Sequence, residues 1–372
     1  MKTIIHAYNW KWLELQDGIL DSWFNDIPEA VKHTVIKSST ERDVFKIKFN
    51  SRNYFVKYSH PSSILQKIRA LFCPKLIKEY NTVKLLQKYN ISTPVPVAAG
   101  YRGAESILIT EAVENAYDVR TFWFSNYSDL SVRKKFLSAY ALFLKSIFKT
   151  GLFHPDFHPG NILVQSENNQ YKFYLIDTYG IKQYNRIPFK KFFTMLTITG
   201  AMRGELTDSE AVTVIREITG FTHEKASDLW KSILIHETVK TEKLWQKRRL
   251  KIFQNSKYTV RIDKSDITLL VRKDLTGIPC LPPEEIRKLQ EGCLESEKYT
   301  ITEHNSYEAE NIWSSSFRME FHRIPGKKPS AWIKQNKNGN DLLVYKQEKS
   351  SDKLIPDEDI ILRKRILEDT NC

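Results

Sequence analysis

Residues 151–177 read GLFHPDFHPGNILVQSENNQYKFYLID. Two short apolar runs flank a polar segment in this stretch, and the pattern predicts two strands joined by a tight turn. Asn161 opens the first strand, Asp177 closes the second, and Asp156 lies in the loop that precedes them. Because an antiparallel hairpin places its beginning beside its end, we expect Asn161 and Asp177 to be neighbours.

One amide and two carboxylates in this arrangement suit phosphoryl transfer. The side-chain oxygens of Asn161 and Asp177 are hard ligands of the kind that Mg²⁺ prefers. Asp156 would then face the terminal phosphate of a nucleotide, where a carboxylate can orient and deprotonate an attacking hydroxyl. Each of these residues alone is an ordinary turn or cap residue, so the prediction depends on their combination.

The segment 154–164 (HPDFHPGNILV) resembles the catalytic loop shared by aminoglycoside and choline kinases, atypical kinases of ubiquinone biosynthesis and bacterial lipopolysaccharide core kinases. Among these, the Kdo/WaaP lipopolysaccharide kinase family fits best, because three further features occur upstream in the expected order. They are Lys57 in a strand pattern, Glu79 in a helix pattern, and the segment 90–98 (NISTPVPVA), which is similar to the family's Gly-Ile-Pro-Thr-Pro-x-Pro. The resemblance covers roughly residues 30–255.

The resemblance implies ATP and Mg²⁺ as cofactors and assigns the main catalytic roles. Asp156 is implied as the catalytic base, and Asn161 and Asp177 are implied as the metal ligands. Lys57 would bind the α- and β-phosphates while it pairs with Glu79 on the helix.

Three more residues are implied at the nucleotide site. Glu111 and Val113, with the Ala112 between them, fall where the family's hinge presents backbone groups to adenine. His158 takes the place of a lysine that is frequent in protein kinases, and we expect it to contact phosphate or to brace the loop.

The chain departs from the kinase pattern at the nucleotide loop. The segment 37–43 (KSSTERD) has no glycine, so the hydroxyls of Ser38 and Ser39 and the backbone N–H groups are expected to cover the phosphates. Pro155 replaces the arginine that reads activation-loop phosphorylation, and Asp177 is followed by TYG rather than by FG. We therefore expect no regulation through a phosphorylated activation loop.

The apolar patterns and the resemblance together predict an α+β protein with a protein-kinase-like bilobal fold. Residues 1–112 are predicted to form a small β-rich lobe with one main helix at 75–89. Residues 113–250 are predicted to form a larger, helical catalytic lobe with a long helix at 131–149. Residues 251–372 are predicted to form a mixed α/β extension.

The extension also shows a weak internal similarity to the small lobe. At one constant offset, Tyr80 aligns with Trp313, Ile91 with Ile324, and Pro96 with Pro329. Two hypotheses stay open: a degenerate second small lobe without a catalytic loop, or an ordinary helix-turn-strand extension.

The amino-acid composition indicates which partners and which cellular location to expect. Lys and Arg number 57 against 44 Asp and Glu, and the formal net charge of +13 suits anionic partners. We expect an anionic glycolipid or sugar acceptor and the inner-membrane surface as partners, and no nucleic acid, because the basic residues occur in short scattered clusters. No apolar run is long enough to predict a membrane span or a signal peptide, and the four cysteines form no C-x-x-C motif. The predicted location is cytoplasmic and peripheral on the inner face of the cytoplasmic membrane.

The sequence thus predicts an ATP-dependent phosphotransferase with an alcohol group as acceptor. The expected acceptor is a sugar hydroxyl of the lipopolysaccharide inner core, on heptose or Kdo. The alternatives are a kinase of another small molecule or of protein, and a non-catalytic scaffold of kinase shape.

Overall fold

The computed structural model describes residues 5–7, 9–16, 35–49, 51–126, 129–168, 170–197, 206–273, 278–291, 299–322, 324, 327–335, 340–346 and 364–367. The described chain is a mixed α/β protein with several sheets. It divides into two compact units. The first comprises Met1–Met202 and Thr213–His223, and the second comprises Arg203–Val212 and Glu224–Cys372.

The first unit begins with a seven-stranded antiparallel sheet. Its strands run in the order β1-β2-β6-β7-β5-β4-β3. Their bounds are β1 (Ile5–Ala7), β2 (Trp10–Leu15), β3 (Val35–Ser38), β4 (Arg42–Phe49), β5 (Arg52–Ser59), β6 (Pro96–Arg102) and β7 (Glu105–Glu111).

Side-chain alternation along these strands separates the two faces of the sheet. Tyr54 and Val56 of β5 pack with Trp12 in one apolar cluster. On the opposite face, helix α2 (Lys75–Lys88) packs against the sheet through Leu76 and Tyr80. The predicted helix at 75–89 is confirmed. A shorter helix, α1 (Ile64–Phe72), precedes it.

The rest of the first unit combines helices with short strands. Its elements are β8 (Ala116–Asp118), α3 (Val119–Ser125), α4 (Leu130–Lys149), β9 (Leu152–Phe153), β10 (Ile162–Glu167), β11 (Gln170–Leu175), β12 (Lys182–Gln183) and α5 (Phe189–Met195). Strands β11, β10 and β8 form one sheet, and β12 pairs with β9. The predicted hairpin is confirmed as β10–β11, in which Ile162 pairs with Leu175.

The long helix α4 confirms the helix predicted at 131–149. The carboxylate of Asp129 accepts hydrogen bonds from the amides of Ser131 and Val132 and caps the helix. Phe136, Tyr140 and Leu144 are among the residues that its inner face buries, at the spacing of a helical stripe.

The second unit contains a five-stranded sheet in the order β13-β14-β16-β17-β15. The strands are β13 (Thr259–Asp263), β14 (Ile267–Arg272), β15 (Tyr299–His304), β16 (Ala331–Gln335) and β17 (Asp341–Lys346), and the helices are α8 (Pro283–Glu291) and α9 (Ser306–Phe321). Two more helices, α6 (Asp208–Thr219) and α7 (His223–Arg248), contribute residues to both units. Trp313 and Trp332 are buried in the core of the sheet and α9.

Part of this sheet follows the same strand order as the first sheet. In the first sheet, β5, β7 and β6 are neighbours and α2 lies between β5 and β6 in the chain; in the second, β15, β17 and β16 are neighbours and α9 lies between β15 and β16. The Ile91 amide donates to the Leu86 carbonyl, and the Ile324 amide donates to the Met319 carbonyl at the same offset. Strand β14 pairs with β16 as β2 pairs with β6, but no described strand pairs with β15 in the way that β4 pairs with β5. The degenerate repeat stays a prediction, with this shared order in its favour.

In the part of the chain that the structure describes, no helix combines the length and the apolar character needed to cross a membrane.

Candidate functional site

Strand β5 and helix α2 bring Lys57 and Glu79 together as an ion pair between Nζ and Oε1. Val56 is buried on one face of the sheet, so Lys57 projects from the other face, on which α2 packs. The Glu79 side chain is only 2% exposed, and its Oε2 has no hydrogen-bond partner among the described residues. The pair is therefore held largely out of water, which fixes the position of the Lys57 ammonium.

A compact loop presents Asp156. The Asp156 amide donates to Nδ1 of His154 at 3.1 Å, and its carbonyl accepts from Nδ2 of Asn161 at 2.9 Å. A short 3-10 turn over Pro159–Asn161 leads from this loop into β10. The backbone of Asp156 is thus held on both sides, whereas its carboxylate is 69% exposed and open to another molecule.

His154 is the buried anchor of this loop. Burial lowers the pKa of His154 to about 4 and outweighs the neighbouring Ile176 backbone, which acts in the opposite direction. The ring is therefore neutral near pH 7, and because Nδ1 accepts from the Asp156 amide, the proton lies on Nε2. His154 holds the loop that carries Asp156 through Nδ1, and its Nε2 has no hydrogen-bond partner among the described residues.

The hairpin brings the ends of its two strands together. The Ile176 amide donates to the Asn161 carbonyl at 2.9 Å, so Asp177 follows directly after a residue bonded to Asn161. Asp177 itself has a φ of 50°, in the left-handed region that side chains rarely adopt. Residues with this left-handed backbone conformation occur often at functional sites.

Two cations act on the Asp177 carboxylate. Burial alone would raise the pKa of Asp177, but Lys57 and Arg42 outweigh this effect and lower it below its usual value. Nη1 of Arg42 donates to Oδ1 of Asp177 at 3.4 Å. Residues from β4, β5 and the end of the hairpin therefore form one charged cluster.

The residues predicted to cover phosphates hold their own loop together. The Ser38 hydroxyl donates to the Asp43 carboxylate at 2.6 Å, and the Ser39 hydroxyl donates to the Arg42 carbonyl at 2.9 Å. The Ser39 oxygen also accepts from the Arg42 amide at 3.1 Å. Serine hydroxyls thus tighten a turn that glycine forms in the expected pattern, and the turn orients Arg42.

The predicted hinge residues are partly engaged within the protein. The Glu111 amide donates to the Val95 carbonyl and the Ala112 amide donates to the Asn53 carbonyl, each at 2.9 Å. The Glu111 carboxylate lies 3.4 Å from Nη1 of Arg52, away from the charged cluster. Val113 follows β7, is partly exposed, and its amide donates to no described backbone carbonyl.

His158 lies beside Asp156, with 3.7 Å between Nε2 and Oδ2. The His158 ring packs closely on Gly160, where an added Cβ would come within 3.0 Å of the ring. Glycine at position 160 therefore leaves room for the ring next to the exposed carboxylate.

Sequence reasoning did not single out Arg42 or Tyr179 as site residues. Arg42 is separated from Asp177 by more than a hundred residues, and no local pattern indicates that contact. The Tyr179 ring lies under the ammonium groups of Lys75 and Lys78, at 5.1 Å and 5.5 Å. These contacts hold the segment after Asp177 against the start of α2. The aromatic residue two positions after Asp177 is the sequence feature that could have indicated a role for Tyr179.

The donor chemistry of the site suits a hard cation. Because Nδ2 of Asn161 is used in the bond to Asp156, its amide oxygen is the group left to act as a ligand. The lowered pKa keeps Asp177 ionised, which supplies a second hard oxygen. No cluster of three or more His, Cys, Asp or Glu side chains placed to hold a metal occurs in the described ranges. Two protein oxygens completed by phosphate oxygens and water are the usual setting for Mg²⁺.

Comparison with known proteins shows a similarity to one protein family over the part of the chain that contains this site. Residues 31–183 match the model of the lipopolysaccharide kinase (Kdo/WaaP) family. This Kdo/WaaP-like segment contains every predicted site residue, from Ser38 to Asp177, and the predicted resemblance is confirmed. No curated protein matches the chain. A solved structure, WaaP in complex with acyl carrier protein, aligns with 16% sequence identity and a TM-score of 0.47, and the alignment covers 65% of this chain and 98% of that chain.

Proposed function

We propose that this protein is an ATP- and Mg²⁺-dependent kinase that phosphorylates a sugar hydroxyl of the lipopolysaccharide inner core, on heptose or Kdo. The observation that carries the proposal is the convergence of Lys57 and Arg42 on Asp177, beside a loop that exposes Asp156. The family match of residues 31–183 supports the same reaction class.

The nucleotide phosphates would be bound by two cations. Lys57 is oriented by Glu79 and is 16% exposed, so its ammonium can reach phosphate while most of the side chain stays packed. Arg42 approaches from the glycine-free loop, whose Ser38 and Ser39 hydroxyls are already engaged. Arg42 thus takes over part of the phosphate contact that backbone N–H groups make in glycine-rich loops.

Asn161 and Asp177 would hold Mg²⁺ through the amide oxygen and the ionised carboxylate. When bound, the ion neutralises charge on the phosphates and polarises the transferred group. Without it, Arg42 and Lys57 partly neutralise Asp177.

Asp156 would receive the proton of the attacking hydroxyl. The acceptor oxygen forms a bond to the terminal phosphorus, the bond from that phosphorus to the bridging oxygen breaks, and ADP leaves with the bond electrons. The proton of the acceptor passes to a carboxylate oxygen of Asp156, which is exposed on a loop held through its backbone. His158, 3.7 Å away, stabilises that carboxylate in position.

The protein would work at the inner face of the cytoplasmic membrane, where its glycolipid acceptor is found. A net charge of +13 favours contact with an anionic surface. Peripheral attachment fits a chain whose described helices do not span a bilayer.

The test is transfer of radiolabelled terminal phosphate from ATP to a panel of acceptors. The panel comprises inner-core lipopolysaccharide with and without heptose, an aminoglycoside, choline and a generic protein substrate. Labelling of the lipopolysaccharide alone supports the proposal. Labelling of a small molecule or protein instead would assign another kinase. No labelling, with no thermal stabilisation by millimolar Mg-ATP, would assign a scaffold.

A further inference from the structure

Helix α1 (Ile64–Phe72) exposes its apolar residues to solvent. Phe72 is 87% exposed and Ile64 is 76% exposed, well above what a helix in a folded protein normally shows for such side chains. The exposed set comprises Ile64, Leu65, Ile68, Leu71 and Phe72. A contiguous patch of this kind marks an interaction site rather than scattered surface residues.

These residues lie on one side of the helix. At 3.6 residues per turn they span an arc of about 120°. Lys67 and Arg69 fall just outside the two edges of that arc, one on each side. Gln66 and the buried Ala70 lie on the opposite side, which faces the protein.

The helix is fixed in this orientation by its own contacts. Ser63 caps it in a reciprocal capping box with Gln66. The Gln66 side-chain amide also donates to the Glu41 carboxylate, which lies in the turn between β3 and β4. The apolar face therefore points outward because the polar face is bonded to the protein.

The segment of sequence that contains α1 is positively charged. Residues 61–78 contain Lys67, Arg69, Lys75 and Lys78 and no acidic residue. An apolar strip with a basic side chain on each side is the composition of a helix that lies in the plane of an anionic bilayer. The long Lys and Arg side chains then extend from the edges of the strip to lipid phosphates.

We propose that α1 anchors the protein to anionic membranes by inserting its apolar face at the boundary between headgroups and acyl chains. Lys67 and Arg69 bind the phosphates on either side of the inserted strip. The symmetric placement of the two cations favours a lipid surface over a protein groove or a second copy of the chain. The anchor goes beyond the proposed function, and because lipid binding needs neither nucleotide nor acceptor, its failure is distinguishable from a failure of phosphoryl transfer.

The first test compares vesicle binding of the full chain with that of the double variant Ile64→Ser/Phe72→Ser. Vesicles of phosphatidylcholine with phosphatidylglycerol are used for flotation, and pure phosphatidylcholine vesicles serve as the neutral reference. We expect the wild type to float with the anionic vesicles and the variant to lose affinity at least about tenfold. Both replaced side chains are largely in solvent, so the melting temperature should stay unchanged.

The matched control is Leu130→Ser/Leu250→Ser, which removes two apolar side chains that are 68% and 72% exposed elsewhere. This variant should bind like the wild type. For the charges, Lys67→Gln/Arg69→Gln should weaken binding most at low salt. Lys134→Gln/Lys135→Gln, an equal loss of exposed charge on α4, should have little effect.

An environment-sensitive dye on Cys73, at the C-terminal end of α1, gives an independent readout after the other cysteines are replaced by serine. A blue shift with anionic vesicles is expected. Three results would each overturn the proposal. They are no binding of the wild type to anionic vesicles, equal binding of the wild type and Ile64→Ser/Phe72→Ser, or a wild-type dimer in the absence of vesicles that becomes monomeric in Ile64→Ser/Phe72→Ser. Capture of an acidic protein by α1 without vesicle binding would assign the face to a protein partner instead.

Discussion

Nη1 of Arg42 lies 3.4 Å from Oδ1 of Asp177, joining the first residue of β4 to the end of the β10–β11 hairpin. The contact connects the residue proposed to bind phosphate with the residue proposed to bind the metal ion. In the proposed kinase, this contact would let a loop without glycine reach the phosphates, since a guanidinium extends farther than a backbone amide.

Arg42 should contribute directly to nucleotide affinity. Arg42→Gln removes a charge-assisted contact worth about 1.5–3 kcal/mol, so the Kd for Mg-ATP should rise about tenfold or more. Lys48→Gln, an exposed cation on the same strand, is the control and should leave the Kd unchanged. Calorimetric titration measures both, and wild-type affinity in Arg42→Gln would refute the assignment.

The Lys57–Glu79 pair should matter for stability as well as for transfer. Lys57→Met leaves the Glu79 carboxylate buried without a partner, which should cost about 3–5 kcal/mol of unfolding free energy. Adding Glu79→Gln removes the uncompensated charge and should restore most of that loss, while transfer stays absent in both variants.

Denaturant unfolding of the single and double variants measures this coupling. Arg287→Met, which breaks the exposed ion pair with Glu291, is the reference and should change the unfolding free energy by about 1 kcal/mol at most. If the double variant is no more stable than Lys57→Met, the pair is not the cause of the loss.

His154 predicts a specific dependence of stability on pH. Its folded pKa of about 4 lies below the ordinary value of 6.5, so the unfolded chain binds the proton first as pH falls. The contribution of the neutral ring is complete above about pH 6.5 and is lost toward pH 4, by about 3 kcal/mol in total.

Unfolding free energies of the wild type and His154→Gln, measured between pH 7.5 and pH 4.5, isolate this effect from the other histidines. The wild type should lose more stability than His154→Gln as the pH falls through this range. Parallel pH profiles for the two proteins would show that His154 is not buried as a neutral ring.

Local patterns predicted the elements that carry the site. The β10–β11 hairpin follows from two apolar runs around a polar turn, and α2 and α4 follow from apolar stripes at helical spacing. The pairing of Lys57 with Glu79 came from family resemblance, and strand alternation explains it physically. In these cases the chain's local preferences and its tertiary packing agree.

Other features depend on packing that no local pattern encodes. The Arg42–Asp177 contact joins distant segments, and the serine hydroxyls of the loop turned inward to stabilise their own turn. Helix α1 has an amphipathic sequence, which ordinarily predicts that the apolar face packs inward, yet its polar face is the one bonded to the protein. In the second unit, the sequence does not indicate that β14 pairs with β16, because strand order depends on long-range contacts.

The most direct test of the central claim is phosphoryl transfer from ATP to inner-core lipopolysaccharide by the wild type and by Asp156→Asn. The Asp156 carboxylate is exposed, so the variant should keep the wild-type melting temperature while its kcat falls about 100-fold or more. Glu167→Gln, an exposed carboxylate on β10, should transfer phosphate at the wild-type rate. Transfer by Asp156→Asn at the wild-type rate would contradict the account.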